Sequence, residues 1–199
     1  MKVMLLHNHE TYSCNAYLVR GDWNAISDVN TLIDIGADDY VLSRLPFIST
    51  GVGKKPVEMV ILTHNHFDHA GGLRKVIEKY NPEVCAFSNS EGVTRLLGAG
   101  EYLKIGDRAF EVIPVTAHSN DSICLYSSDD KTLFSGDTPL NIKSPGGSYP
   151  ISFVNSLERL ASLDIEIIYS GHDDPVTLGA KAMIANTLMN VKKSLLVAD

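Results

Sequence analysis

The sequence is poor in cysteine, in positive charge and in long apolar runs, and each shortage closes a class of function. Its three cysteines, Cys14, Cys85 and Cys124, lie far apart with no Cys-x-x-Cys pair. A disulfide framework and a cysteine-rich zinc site are therefore excluded, and the thiols read as buried apolar residues. Lys and Arg total 17 against 24 Asp and Glu, a formal net charge of −7. A broad nucleic-acid surface needs clustered cations, so nucleic acid is not the expected partner. No apolar stretch approaches the roughly 18 residues of a membrane-spanning helix, and the apolar part of residues 1–6 is too short for a signal-peptide core. The expectation is a soluble, cytoplasmic protein with no membrane partner, acting on a small molecule as a single chain or a homodimer.

What is present is an ordinary globular composition. The chain has 199 residues, 44% apolar and 21% charged. At about 150 residues per domain this predicts one domain spanning 1–199. Short β-branched runs at 14–19 and 31–35 predict an antiparallel hairpin, and 57–62 a buried strand. The spacing of Leu73, Val76, Ile77 and Tyr80 predicts a helix ended by Asn81-Pro82. Residues 84–87 read as a strand and 90–97 as a short helix. Strands follow at 102–105, 110–115, 122–127 and 132–134, the last two flanking a turn at 128–131. Residues 140–150 carry Pro and Gly without periodicity and read as a surface loop. A helix at 153–163, a strand at 165–169 and a helix over 176–196 complete the chain. Each half thus runs from strands to helices, which suggests two face-to-face sheets covered by helices on the outside.

The chemistry concentrates in Thr63-His64-Asn65-His66-Phe67-Asp68-His69. Four side chains able to bind metal fall within six residues, directly after an apolar strand. His118, Asp137 and His172 repeat that placement, each a polar residue just past a strand. Imidazole together with carboxylate suits zinc, iron or manganese rather than calcium. One ion takes three or four protein ligands, so seven candidates point to two ions. His7 and His9 have no carboxylate nearby in sequence and are set aside as surface or core histidines. Asp173-Asp174, before Pro175, reads as a solvated turn.

The run His64-Asn65-His66-Phe67-Asp68-His69-Ala70-Gly71-Gly72 resembles the His-x-His-x-Asp-His-x-Gly-Gly signature of the metallo-β-lactamase superfamily. Leu32-Ile33-Asp34-Ile35-Gly36, Thr116-Ala117-His118-Ser119, Phe134-Ser135-Gly136-Asp137-Thr138 and Ser170-Gly171-His172 resemble its other motifs, in the same order. The resemblance implies an α/β fold, a four-layer αββα sandwich of two mixed sheets with the site along one edge. It implies a first metal on His64, His66 and His118, a second on Asp68, His69 and His172, and Asp137 between them. Asp34 would orient the cluster. Within the superfamily the set is most similar to the glyoxalase II-like hydrolases. Zinc β-lactamases of the commonest subclass carry Cys where this chain has Asp137, and flavodiiron proteins carry Glu where it has His66. Only 199 − 172 = 27 residues follow His172, so the helical extension with which glyoxalase II binds glutathione is not expected.

These readings predict a metallo-hydrolase with two divalent ions, zinc first and iron or manganese as alternatives. A hydroxide held between the ions would attack the carbonyl of a small thioester, ester or lactone, with Asp68 and Asp137 as the catalytic carboxylates. Lys143 and Tyr149, on the loop after Asp137, would hold a substrate anion. Two other enzymes share the ligand set: a sulfur dioxygenase with one non-haem iron, and a phosphodiesterase acting on a small molecule.

Overall fold

The computed structural model describes residues 1–8 and 10–199, and His9 therefore lies outside the described residues. Strand β1 (Lys2–Leu6) pairs antiparallel with β2 (Ala16–Arg20), and β2 with β3 (Thr31–Ile33). Helix α1 (Tyr40–Arg44) leads through a 3-10 turn to β4 (Met59–Ile61), which lies parallel to β3. The short helix α2 (Phe67–Ala70) and then α3 (Leu73–Tyr80) carry the chain to β5 (Glu83–Ala86) and β6 (Arg95–Leu96), both added in parallel. The first sheet is thus mixed and six-stranded, in the order β1-β2-β3-β4-β5-β6.

The second half builds β7 (Tyr102–Ile105), β8 (Arg108–Pro114), β9 (Ile123–Ser127) and β10 (Thr132–Gly136) as an antiparallel meander. After β11 (Ser148–Pro150) and α4 (Ile151–Ser162), β12 (Ile167–Ser170) joins β10 in parallel. The five strands run in the order β12-β10-β9-β8-β7. Helix α5 (Ala180–Lys192) and β13 (Leu195–Val197) follow, β13 pairing with β11 in a separate two-stranded ribbon.

Alternation of side chains along the strands makes the four layers. Tyr17, Val19, Ile33 and Ile61 of the first sheet meet Phe110, Val112, Leu125 and Phe134 of the second in one central cluster. Their neighbours Leu18, Leu32 and Val60 point the other way, onto Val41, Leu73 and Val76 of α1 and α3. Ile113, Cys124 and Leu133 likewise face Phe153, Leu157 and Ile184 of α4 and α5. Because the side-chain period of a strand is two, both faces of both sheets are covered and the strands read as continuous apolar runs. All three cysteines are buried and unpaired. Among the described residues no helix is long and apolar enough to cross a membrane.

Three sequence expectations need correction. Residues 90–97 form turns and β6, not a helix. Gly92 is left-handed (φ +87) and packs so closely on α3 that an added Cβ would lie 2.7 Å from Ile77, while Thr94 Oγ1 accepts the amide of Val84. The last helix is shorter than 176–196. Val176 is tied to Ile168 by paired backbone bonds, left-handed Gly179 precedes α5, and the chain turns back into β13 after Lys193. The loop 140–150 ends in a strand, β11, because β13 supplies its hydrogen-bonding partner. Strand β1 has no counterpart in the sequence reading. Tertiary pairing, rather than local propensity, decides such short edge elements.

Phe134 fixes the centre of the sandwich. It is fully buried and touches Tyr17 (ring centroids 5.4 Å), Tyr169 (5.0 Å) and Phe110 (5.8 Å). Phe134→Ala is expected to cost about 3–5 kcal/mol through lost burial and the cavity left behind. Urea unfolding checks this: the midpoint should fall with little change in slope.

Candidate metal centre

The strands that carry the candidate ligands end on one edge of the sandwich, and each ligand sits in the loop past such an end or on the helix that follows. Asp34 follows β3, Thr63 to His66 follow β4, and Asp68 and His69 lie on α2. Asp137 follows β10 and His172 follows β12, while His118 comes from the loop between β8 and β9. Backbone bonds lock these loops together across the two sheets. Asn15 N donates to Gly171 O (2.6 Å), Gly171 N to Gly136 O (2.8 Å) and Ile123 N to Thr63 O (2.9 Å).

Two glycines are obligatory here. Gly136 is left-handed (φ +49), and a Cβ on it would lie 2.7 Å from Thr63 Oγ1. A Cβ on Gly171 would lie 2.0 Å from Asp137 Oδ1 and 2.8 Å from His69 Cε1. The polypeptide approaches the ligands more closely than any side chain allows.

The seven predicted ligands converge. His66 Nδ1 lies 3.1 Å from His64 Nε2 and 2.9 Å from His118 Nε2. His172 Nε2 lies 3.1 Å from Asp68 Oδ2, and His69 Nε2 lies 3.8 Å from the same oxygen. Asp137 stands between the two groups. Its Oδ2 is 3.4 Å from both His118 Nε2 and His172 Nε2, and its Oδ1 is 3.2 Å from His69 Nε2. Ligand atoms about 2.1 Å from one tetrahedral ion are about 3.4 Å apart, so both groups have the spacing a metal requires.

The hydrogen bonds behind the ligands aim lone pairs at the centre. Asp34 is a left-handed residue (φ +55) whose Oδ1 accepts the Thr63 amide (2.8 Å) and whose Oδ2 accepts Thr63 Oγ1 (2.7 Å). The same Oδ2 lies 2.9 Å from His69 Nδ1. A carboxylate only accepts, so His69 Nδ1 carries a proton and Nε2 is the atom left to face the centre, where it would present its lone pair to a bound cation. That Nε2 faces Asp137 Oδ1, and both atoms are buried without a hydrogen-bond partner. Thr63 Oγ1, having donated to Asp34, can accept from His64 Nδ1 at 3.2 Å, which turns a second lone pair, on His64 Nε2, toward His66. Acceptors converging in a buried space require a positive charge between them. The donor set therefore fits divalent cations.

The electrostatics agree. Burial pushes the proton affinity of His64 down to about 4, so it is neutral and available as a ligand. Burial also opposes a charge on His69, but the flanking Asp34 and Asp137 carboxylates outweigh it and hold its proton affinity well above the usual imidazole range, so positive charge is favoured at this point. Burial works against the Asp137 charge too, yet the facing His69 and the surrounding histidines hold it down to about 2. Burial pushes the Cys14 thiol, beside His69 and Asp34, up to about 11, so it stays protonated and packs as an apolar neighbour.

Sequence reasoning gave no role to Thr63, to Asn15 or to Tyr12. Asn15 Nδ2 holds the carbonyls of Ser170 (3.1 Å) and Asp173 (2.9 Å) and so fixes the His172 loop. Tyr12 stacks on His172 at 5.6 Å. Thr63 lies inside the histidine motif, where its hydroxyl was a readable signal; the other two lie far from it in sequence.

A cavity of about 510 Å³ opens beside the centre, floored by His118, Asp137 and His172 and walled by Asn141, Ile142 and Lys143. Lys143 is thus one of the residues that line this cavity. Tyr149 does not line this cavity; it sits on β11 and packs on Phe153 at 5.9 Å. A larger cavity of about 840 Å³ lies along α3 and is lined by none of the seven ligands.

Residues 10–172 match a family model described as the metallo-beta-lactamase superfamily. A probable hydroxyacylglutathione hydrolase, glo2, of Schizosaccharomyces pombe is 31% identical over 129 residues, covering 62% of this chain and 48% of that protein. The acyl-coenzyme A thioesterase MBLAC2 of Gallus gallus is 31% identical over 162 residues, covering 62% of this chain and 56% of that protein. The chain spans about half the length of these curated relatives. Among solved structures, TTHA1623 in a di-iron-bound form is similar with a TM-score of 0.69 at 25% identity, over 92% of this chain and 97% of that one.

Replacing Asp34 tests the aiming role. Asp34→Asn removes the charge that holds the His69 proton, and metal affinity is expected to fall about 10–100-fold, the range found for such supporting carboxylates. Competition with a chromogenic chelator measures it, and unchanged affinity would remove Asp34 from the centre.

Proposed function

The chain belongs to the metallo-β-lactamase superfamily, and on that premise we propose that it is a metal-dependent hydrolase of a small thioester, ester or lactone. The observation that carries this reading is the convergence of the histidines and carboxylates, with buried His69 Nε2 and Asp137 Oδ1 facing each other at 3.2 Å and neither satisfied by a hydrogen bond in the structure. The names of the similar proteins support the substrate class: one is a hydroxyacylglutathione hydrolase and another an acyl-coenzyme A thioesterase.

His64, His66 and His118 would hold one ion and Asp68, His69 and His172 a second, with Asp137 placed between the two groups. Zinc suits this mixture of imidazole and carboxylate, with iron and manganese as alternatives. When bound, such ions lower the pKa of a coordinated water from 15.7 to about 7 and polarise a carbonyl oxygen.

The chain's own residues do the rest. His64 and His69 are buried, whereas His66, His118 and His172 reach solvent, so a substrate approaches from their side. Asn141, Ile142 and Lys143 line that approach, and the Lys143 ammonium binds an anionic part of the substrate. The half-buried Asp68 carboxylate, 3.1 Å from His172 Nε2, is placed to take up the proton lost by the attacking water and return it to the leaving thiolate or alkoxide. Three unpaired thiols suit a reducing compartment, and we place the protein in the cytoplasm.

Elemental analysis of purified protein, with turnover of a panel of thioesters, lactones and phosphodiesters, tests the proposal. About two metals per chain and thioester or lactone cleavage are expected. One iron with oxygen uptake, or cleavage of phosphodiesters alone, would overturn it. Asp137→Ala is expected to lose turnover and reduce metal content together. Lys143→Ala should raise KM for anionic substrates with little change in kcat, because it removes binding rather than chemistry.

A further inference from the structure

We propose that Asp121 positions the three-histidine group, by tying the chain beside His64 and His66 to the chain beside His118. The proposal rests on the reading above, in which those histidines hold one ion. Asp121 lies in the loop between β8 and β9 and is half-buried. Its Oδ2 accepts the backbone amide of Asn65 at 3.0 Å, and Asn65 stands between His64 and His66 in the chain. Its Oδ1 accepts Ser119 Oγ at 2.6 Å, and Ser119 follows His118 directly. One side chain thus joins both loops that supply the group.

The hydroxyls around Asp121 all point their protons toward it. An ionised carboxylate only accepts, and a hydroxyl has a single proton to give. Ser119 Oγ gives its proton to Asp121, so the 2.7 Å contact between Ser119 Oγ and Ser122 Oγ is donated by Ser122. The buried Ser122 Oγ in turn accepts the Ser119 amide at 3.2 Å. On the other side Ser88 Oγ donates to Asp121 Oδ2 at 3.3 Å and accepts from Asn65 Nδ2 at 2.8 Å. Ser90 Oγ donates to Asn65 Oδ1 at 2.9 Å. Asn65 is therefore held through its backbone and through its side chain, and hydrogen bonds to a charged acceptor are the strong ones.

The three-histidine group needs such a brace because two of its rings lack one of their own. His66 and His118 reach solvent, and among the described residues neither ring has a hydrogen bond at the nitrogen turned away from the group. In the other group His69 has Asp34 behind its ring. A ring without a partner behind it is aimed by its backbone alone. Asp121 fixes that backbone and so keeps His66 Nδ1 at 3.1 Å from His64 Nε2 and 2.9 Å from His118 Nε2. Among the described residues Asp121 makes no hydrogen bond to any of the seven ligand side chains, so it acts through Asn65 and Ser119.

Cobalt(II) titration of the metal-free full chain, followed by visible absorption and calorimetry, tests this. The wild type is expected to take two cobalt ions. Asp121→Ala should keep one at wild-type affinity and bind the other about 10–100-fold more weakly. Its one-ion spectrum should match that of His118→Ala, which removes a ligand from the same group. Ser119→Ala, which cuts only the link to the His118 loop, should weaken the same ion, and this variant carries the test if Asp121→Ala fails to fold. Asp121→Asn keeps an acceptor oxygen for the Asn65 amide and should recover part of the loss. A merely structural role would leave both affinities unchanged or weaken both ions alike, and either result overturns the proposal. A wild-type chain that takes one cobalt overturns the two-metal reading instead. The proposal then stands if Asp121→Ala binds that ion more weakly, and falls if it binds it equally well.

Discussion

A carboxylate behind an imidazole governs this molecule. Asp34 can only accept, so it fixes a proton on His69 Nδ1 and leaves Nε2 as the atom that faces Asp137 Oδ1. His69 Nε2 and Asp137 Oδ1, buried 3.2 Å apart, call for a positive charge at that point, from a proton on the imidazole or from a bound cation. The rest of the edge is arranged around that demand. Thr63 passes the same polarity to His64, Gly136 and Gly171 let the backbone come close enough, and Asn15 holds the loop that carries His172.

The sandwich makes that arrangement affordable. Two sheets, each apolar on both faces, give rigid strand ends on one edge, and the ligands ride on the first residues beyond them. Because the central cluster around Phe134 is shared by both sheets, the β4 loop and the β10 loop are held against each other at a fixed distance, Gly136 packing on Thr63. Buried polar groups are tolerated at this edge because each has either a hydrogen bond or a place beside the converging ligands.

Much of this was legible beforehand, for identifiable reasons. The histidine motif is dense enough to be read locally, and His118, Asp137 and His172 each follow a β-rich run. The two hairpins and helix α3 announced themselves through apolar period and turn residues. What was misread is short and paired at a distance. Residues 90–97 lack a helical partner to overrule Gly92, and β11 and β13 exist only because each finds the other 47 positions away. Tyr149 was expected at the centre because it follows Asp137 in sequence, yet that pairing turns it onto Phe153.

By itself, then, the sequence determined the candidate donors, the alternation of strands and helices, and the net negative charge. Those properties are written in residue type and local spacing, which no packing can alter. Only the tertiary structure decided which nitrogen of each histidine faces inward and which loop residue walls the cavity. Those depend on distances between residues far apart in the chain, and only the closing of the two sheets sets them.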